Sequence, residues 1–342
     1  MIIKQYIGAL KKCFWKTKDK NIININLYCM HPVQMPKNCP ICGKDKISKP
    51  IQQHQNNDVV STLFECDSCN VQFWEPFKGA GKEWYEENNA LSRIDILKPA
   101  IEKSYHKEFL KRHKDLPKNT KIIDFGCGTG ALIGVLQKKG YDAWGVDLDQ
   151  GAAGIAKKYF GDKNIYGISF EEFFLRNKEE KFDIVTFFEV LEHIDNPLEF
   201  IQNLKRLLKP GGKIVLSTPS RNRLLADLAS WDFPPHHLSR WDKGAVSNLF
   251  DKINFDIFYI KHLDEFNMIV AAVNEKIRTG LVNKVSKNIA QTPNNVFFMK
   301  TFYILARAKE YIVGTIPSVF CFLWAKINGL HGGAMYIELK NK

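Results

Sequence analysis

Four cysteines fall into two tight pairs, C-P-I-C-G at 39–43 and C-D-S-C-N at 66–70. Each C-x-x-C gathers two thiolates at one turn, and Gly43 and Asn70 are residue types that accept the left-handed backbone closing such a turn. The 23 residues between Cys42 and Cys66 suffice for a hairpin. Four thiolates suit tetrahedral zinc in a structural site with no open position. The spacing predicts a zinc ribbon with Cys39, Cys42, Cys66 and Cys69 as ligands. A thiol redox pair is the alternative, and it leaves the second knuckle unexplained. The other four cysteines, Cys13, Cys29, Cys127 and Cys321, are scattered.

A second constellation is D-F-G-C-G-T-G at 124–130. It ends an apolar run and opens a helical pattern, so unpaired helix N–H groups and close backbone approach meet at one place. Asp147 follows about 20 residues on, where a carboxylate reaches both hydroxyls of a ribose. Loop, register and acid together predict a nucleoside site. The spacing is G-x-G-x-G, not the G-x-G-x-x-G of dinucleotide sites. Asp124 would repel a phosphate and suits an ammonium group. The ligand that fits is S-adenosylmethionine, which has an amine and a sulfonium and no phosphate.

Two further clusters could act on an acceptor. Glu189, Glu192 and His193 stand at i, i+3 and i+4, so a helical turn would put them on one face. His193 there is a general base, or the trio holds a divalent cation such as Mg2+, or Glu189 and His193 only shape the pocket. P-P-H-H-L-S-R-W at 234–241 offers His237 first and His236 second as base or acceptor contact, with a plain structural histidine as the bland alternative.

The elements that must position these residues read clearly from 120 onward. Strands are expected at 121–125, 143–146, 164–168, 182–188, 213–217 and 255–260, with a last one at 334–339. Helices are expected at 130–139, 151–159, 171–176, 196–208 and 241–250. Such alternation means a mostly parallel α/β sheet covered on both faces. Upstream, 82–116 reads as helical, with Pro99 as a break. The organisation expected is a basic tail (1–35), the ribbon (36–76), a helical cap or linker (77–119), a catalytic domain (120–265 and 333–342) and a helical insert (266–332).

At these motifs the sequence resembles the class I S-adenosylmethionine-dependent methyltransferases. The most specific stretches are F-D-I-V-T-F-F-E-V-L-E-H-I-D-N-P at 182–197 and L-K-P-G-G-K-I-V-L-S-T-P at 208–219. They look closest to the ubiquinone-biosynthesis O-methyltransferases and related small-molecule and sugar enzymes. The resemblance implies a Rossmann-like seven-stranded sheet of order 3-2-1-4-5-7-6, with strand 7 antiparallel. It implies that Asp124, Gly126, Cys127, Gly128 and Gly130 line the methionine and ribose side, with Phe188 nearby. Asp147 would bind the ribose hydroxyls, and Leu148 would flank the adenine. Ser169 and Phe170 stand where the family often has an acid near the adenine amine. The E-x-x-E-H pattern resembles the metal-binding trio of eukaryotic-type ubiquinone O-methyltransferases, and a small N-terminal cysteine module resembles those of bacterial sugar and surface-polysaccharide methyltransferases.

Composition narrows the partners. The chain has 342 residues, a formal net charge of +12, 45% hydrophobic and 25% charged residues. That composition excludes bulk disorder and a disulfide-stapled mini-fold. The excess charge sits at the ends: residues 1–30 carry six Lys and one Asp, residues 266–342 carry ten Lys/Arg and three Glu, and the middle has 33 of each sign. A neutral catalytic region argues against a nucleic-acid substrate, as does the lack of an N/D-P-P-Y/F motif after the fourth strand. The acceptor expected is a small molecule, a sugar or a lipid-linked glycan. A nucleic-acid methyltransferase and a non-catalytic cofactor-binding subunit are the rivals. No secretory signal or ordinary membrane span is read, so the location expected is cytoplasmic. Residues 1–20, basic and amphipathic, and the apolar segment 311–325 could touch the inner membrane face; the other reading packs 311–325 in the core or a homodimer contact.

Overall fold

The computed structural model describes residues 33–56, 59–88, 103–223, 232–263 and 333–342, with 319, 320, 322, 323 and 327. The expected N-terminal amphipathic helix, the helix over 89–102 and most of the insert, including the bulk of 311–325, lie outside them. The chain divides into two compact units, Met35–Asp264 with His331–Lys342, and Met1–Gln34 with Glu265–Leu330. In the second unit, the described Val319, Phe320, Leu323 and Ile327 are exposed. No helix among the described residues is long and apolar enough to cross a membrane.

The first unit begins with the cysteine module. Strands β1 (Gln52–Asn56), β2 (Val59–Glu65) and β3 (Gln72–Glu75) form an antiparallel meander. β2 is rich in β-branched and aromatic residues, the types that fill a pleated half-buried surface, and its Leu63 and Phe64 are buried. Both knuckles form. Gly43 and Asn70 take positive φ, 70° and 60°. Their amides donate back to the carbonyls of Cys39 and Cys66 at 2.9 and 2.7 Å. Helices α1 (Lys82–Asn88) and α2 (Ser104–Arg112) follow.

The main sheet contains β4 (Lys121–Phe125), β5 (Asp142–Asp147), β6 (Ile165–Gly167), β7 (Phe182–Phe188), β8 (Leu208–Pro219), β10 (Phe255–His262) and β11 (Ala334–Asn341). Helices α3 (Ala131–Lys138), α4 (Gln150–Phe160), α5 (Phe170–Arg176) and α6 (Pro197–Arg206) alternate with its strands. The spatial order is β10-β11-β8-β7-β4-β5-β6. β11 runs antiparallel to both neighbours, and β8-β7-β4-β5-β6 are parallel. Relabelled by order in the sheet, this is 3-2-1-4-5-7-6, as expected. Ile122, Ile123, Val185, Phe187, Val215 and Leu216 are fully buried, because helices cover both faces and parallel strands then read as continuous apolar runs. The helix starts carry their caps. Asp149 accepts from the Gly151 and Ala152 amides, and Asn196 accepts from the Glu199 amide with Pro197 in the first turn.

The cysteine module is joined to the rest of its unit by backbone pairing. Its sheet has a fourth strand, β9 (Ser239–Arg240), which pairs antiparallel with β3. β9 falls inside the histidine motif of 234–241, just ahead of helix α7 (Lys243–Asp251). Trp74 donates its amide to the Leu238 carbonyl at 2.9 Å. Asn70 Nδ2 reaches both carboxylate oxygens of Asp242 at 3.1 Å. Arg221 joins the Asn70 carbonyl at 2.8 Å, Glu65 at 3.2 Å and Asp242 at 2.6 Å.

Candidate active site

The glycine loop turns at the carboxyl end of β4, between β5 and β7. Gly126 has φ 77°, and a Cβ built on it would lie 2.6 Å from Val190 Cγ2. Glycine is needed there both for the left-handed backbone and for the fit against the segment after β7. Asp147 grips the loop: its Oδ2 accepts from the Gly128 amide at 2.7 Å and its Oδ1 from the Asp149 amide at 2.8 Å. Asp124 is buried beneath, accepting from Thr186 Oγ1 at 2.6 Å. Burial pushes its carboxyl up to about 7 against the Thr186 bond, with the charge of Asp147 adding to the rise. Burial likewise raises the Cys127 thiol, with Asp147 and Asp124 reinforcing it.

Three residues of the expected cofactor wall have structural duties. Ser169 Oγ caps α5, accepting from the Glu172 amide at 3.2 Å. Phe170 packs edge-on to Phe125, with centroids 5.3 Å apart. Phe188 lies stacked between Tyr105 and Tyr336, at 5.1 and 6.3 Å. Leu148 is half-buried beside Asp147.

The segment after β7 departs from the helical face the sequence suggests. Glu189 adopts φ 55°, and Leu191–His193 form a single 3-10 turn. Glu189 Oε1 accepts from Ser217 Oγ at 2.7 Å. Glu192 is 1% exposed, and its Oε2 accepts from Thr218 Oγ1 at 3.0 Å. Among the described residues, the groups whose donor atoms converge are the four cysteines, and His193 with His236 and His237. Glu189 and Glu192 belong to neither, so the expected Glu189–Glu192–His193 cation trio does not assemble.

The histidines do. The Leu238 amide donates to the Glu192 carbonyl at 2.8 Å, tying the two segments together. Ring centroids of His193, His236 and His237 stand 4.6 to 4.8 Å apart. His193 Nδ1 donates to the His236 carbonyl at 2.6 Å, and His237 Nδ1 to Asp232 Oδ1 at 3.1 Å. Arg223 pairs with the other Asp232 oxygen. Burial holds His193 well below the usual range, with His237 and His236 adding to it. Burial, then the charges of His236, Arg223 and Arg240, takes His237 to about 2. Burial raises Glu192 strongly, and Glu189 raises it further. Near neutrality, both imidazoles therefore keep a lone pair.

Helix α1 stands over this cluster. Trp84 lies 5.3 Å from His236 and Tyr85 6.1 Å from His193, centroid to centroid. Burial raises the Tyr85 phenol, and the carboxylates of Glu192, Asp195 and Asp147 add to it, so one side chain feels both halves of the site. The Gly79 amide, just upstream, donates to Asp195 at 2.7 Å. A narrow cleft borders His237 and is lined by Arg221, Arg223, Asp232 and Arg240. Trp84 and Tyr85 carry no signal in the sequence beyond the helical pattern of 82–116. Asp232 is absent from the expected site, although an acid five residues before a histidine across a P-P turn is a usable signal.

In the cysteine cluster, Sγ atoms of Cys39 and Cys69 are 3.7 Å apart, and those of Cys42 and Cys66 3.5 Å. Thiolates about 2.3 Å from a tetrahedral zinc stand about 3.8 Å apart, so the four sulfurs have the spacing of such a site.

The strand order, the glycine loop and the acid at the end of the next strand define a class I methyltransferase fold. Residues 98–260 match the family described as "Methyltransferase domain". The ubiquinone biosynthesis O-methyltransferase of Methylococcus capsulatus is 29% identical over 205 residues, which cover 54% of this chain and 84% of that protein. That of Actinobacillus pleuropneumoniae is 29% identical over 154 residues, 43% of this chain and 64% of its own length. Among solved structures, phosphoethanolamine N-methyltransferase 2 of Haemonchus contortus, with phosphomonomethylethanolamine and S-adenosylhomocysteine, aligns with a TM-score of 0.51 and 13% identity, over 85% of this chain and 71% of that one. That likeness is one of fold. The chain thus has the fold of the class I S-adenosylmethionine-dependent methyltransferases, and its residues 98–260 carry the match to a methyltransferase domain.

Proposed function

We propose that the protein methylates an oxygen of a small-molecule acceptor, a sugar or a lipid-linked glycan, with the acceptor seated between α1 and the histidine cluster. The observation that carries this reading is the packing of the segment after β7 onto the glycine loop at Gly126 and Val190, which sets Glu192 and His193 beside the cofactor half. The methyl donor supplies a carbon already activated by its sulfonium, so the protein's part is positioning. In this reading Asp147 holds the ribose hydroxyls, Asp124 faces the ammonium group, and Gly126, Gly128 and Gly130 let the backbone approach. His193, His236 and His237 face the acceptor hydroxyl, and Trp84 and Tyr85 exclude water.

A structural zinc on Cys39, Cys42, Cys66 and Cys69 fixes the ribbon over 36–76, and through β9 fixes the histidine loop. Thiolate ligands of this kind suit the reducing cytoplasm. The exposed Val319, Phe320 and Leu323 favour contact of the 311–325 segment with a lipid surface, in keeping with a lipid-linked acceptor.

The test is full-length protein with methyl-labelled S-adenosylmethionine and separate arms of hydroxylated aromatic, nucleotide-sugar, polyprenyl-linked glycan and RNA acceptors. Label entering one of the first three arms, and lost in His237→Ala, supports the proposal. Label entering RNA alone, or none in any arm despite cofactor binding, overturns it.

A further inference from the structure

We propose that His193, His236, His237 and Glu192 form a second metal site, for a borderline divalent transition ion of the zinc, iron or manganese type, separate from the cysteine site. The donor atoms of the three histidines lie within 4.8 Å of one another. Two of the rings are already set as ligands. The Nδ1–H of His193 is taken by the His236 carbonyl and that of His237 by Asp232, which leaves each Nε2 with its lone pair turned away from those bonds. A metal-bound histidine characteristically gives its other N–H to a carbonyl or carboxylate in this way.

The second observation is Glu192 Oε1. It is buried without a hydrogen-bond partner, although the other oxygen of the same carboxylate has Thr218. Buried carboxylate oxygens rarely stand so. Oε1 lies 3.9 Å from His193 Nε2 and 4.0 Å from His237 Nε2. Those separations are too long for hydrogen bonds. Nitrogen and oxygen ligands about 2.0–2.2 Å from an ion stand about 3.4 Å apart in a tetrahedron, so closing these two separations by about half an ångström would bring Glu192 onto an ion gathered by the three histidines, whose donor atoms converge without it.

A nitrogen-rich set selects a transition ion over Mg2+, which prefers oxygen and water. This is also not the E-x-x-E-H trio, because Glu189 is engaged with Ser217 and two of the ligands come from the 232–238 loop. Resting on the function proposed above, an acceptor hydroxyl entering as a fifth ligand to the ion would have its pKa lowered.

The test counts metal. Full-length protein, purified with its ribbon loaded with zinc, is titrated with Co2+ alone, and total zinc plus cobalt per chain is measured with the visible spectrum. The expected result is two ions per chain. Cobalt entering the second site should show d–d bands and no thiolate charge-transfer band. His237→Ala should hold one ion, Glu192→Gln should bind cobalt at least 10-fold more weakly, and Asp232→Asn about 10- to 100-fold more weakly. Retained ribbon zinc in each variant shows that it is folded. One ion per chain in the wild type, or two in His237→Ala, would overturn the proposal. Two ions with no binding of S-adenosylmethionine would leave the metal site standing and remove the functional reading.

Discussion

Arg221→Ala tests whether the cysteine module is built into the methyltransferase unit. The guanidinium is 11% exposed and serves three acceptors: the Asn70 carbonyl and Glu65 across the seam, and Asp242 on its own side. One hydrogen bond to a charged group contributes about 1.5–3 kcal/mol. Breaking a buried ion pair costs about 3–5 kcal/mol, because a charge is left uncompensated. Asp242 is 12% exposed and Glu65 27%, so water recovers part of the loss, and a fall of about 3 kcal/mol is expected. Arg221→Lys keeps the charge but cannot fork to three partners, and should fall in between. Urea unfolding followed by tryptophan fluorescence is the assay, since the buried Trp74 and Trp241 stand on either side of the seam. A loss below about 1 kcal/mol would refute the reasoning and return the ribbon to the status of an appended module.

Three other outcomes are expected. Gly126→Ala combines a left-handed backbone, about 1–2 kcal/mol for a residue with a Cβ, with contact on Val190; calorimetry should show weaker cofactor binding, and adding Val190→Ala should recover part of it. Asp124, raised to about 7 by burial, is mostly neutral at pH 5 and ionised by pH 8. Its stabilising contribution is full below the unfolded value near 4 and is lost as pH rises through about 7, while affinity for a cationic cofactor should rise over the same window; a flat affinity from pH 5 to 7 would contradict the ammonium role, and Asp124→Asn should abolish the rise. Glu338 is held down at about 2: burial pushes it up, but bonds from His113 and Arg112 outweigh it. Its contribution is therefore present above the unfolded value near 4.5 and lost as pH falls towards 2, and Glu338→Gln should flatten acid unfolding in that range.

The sheet was legible because buried parallel strands announce themselves. Lys121–Phe125 and Phe182–Phe188 are apolar runs that end at Gly126 and Glu189, and their predicted bounds match the structure. The convergence of the cysteines was legible for a local reason, since each knuckle needs only four residues and a left-handed closer. The acceptor side was less so. The i, i+3, i+4 argument at Glu189, Glu192 and His193 assumes α-helical geometry, and the positive φ of Glu189 with the 3-10 turn that follows removes the assumption. His236 and His237 were visible as candidates, but not their meeting with His193, which depends on a backbone bond from Leu238 to Glu192 across 46 residues of sequence. The capping duty of Ser169 was hidden because S-x-x-E is both a helix start and a possible adenine contact.

The central claim is tested most directly by calorimetric titration of S-adenosylmethionine into the full-length protein and into Asp147→Ala. The account predicts one site per chain in the wild type. It predicts weaker binding in the variant by about 1–3 kcal/mol, because the Gly128 and Asp149 amides lose their acceptor together with the ribose contact. No binding to the wild type, or unchanged affinity in Asp147→Ala, would contradict it.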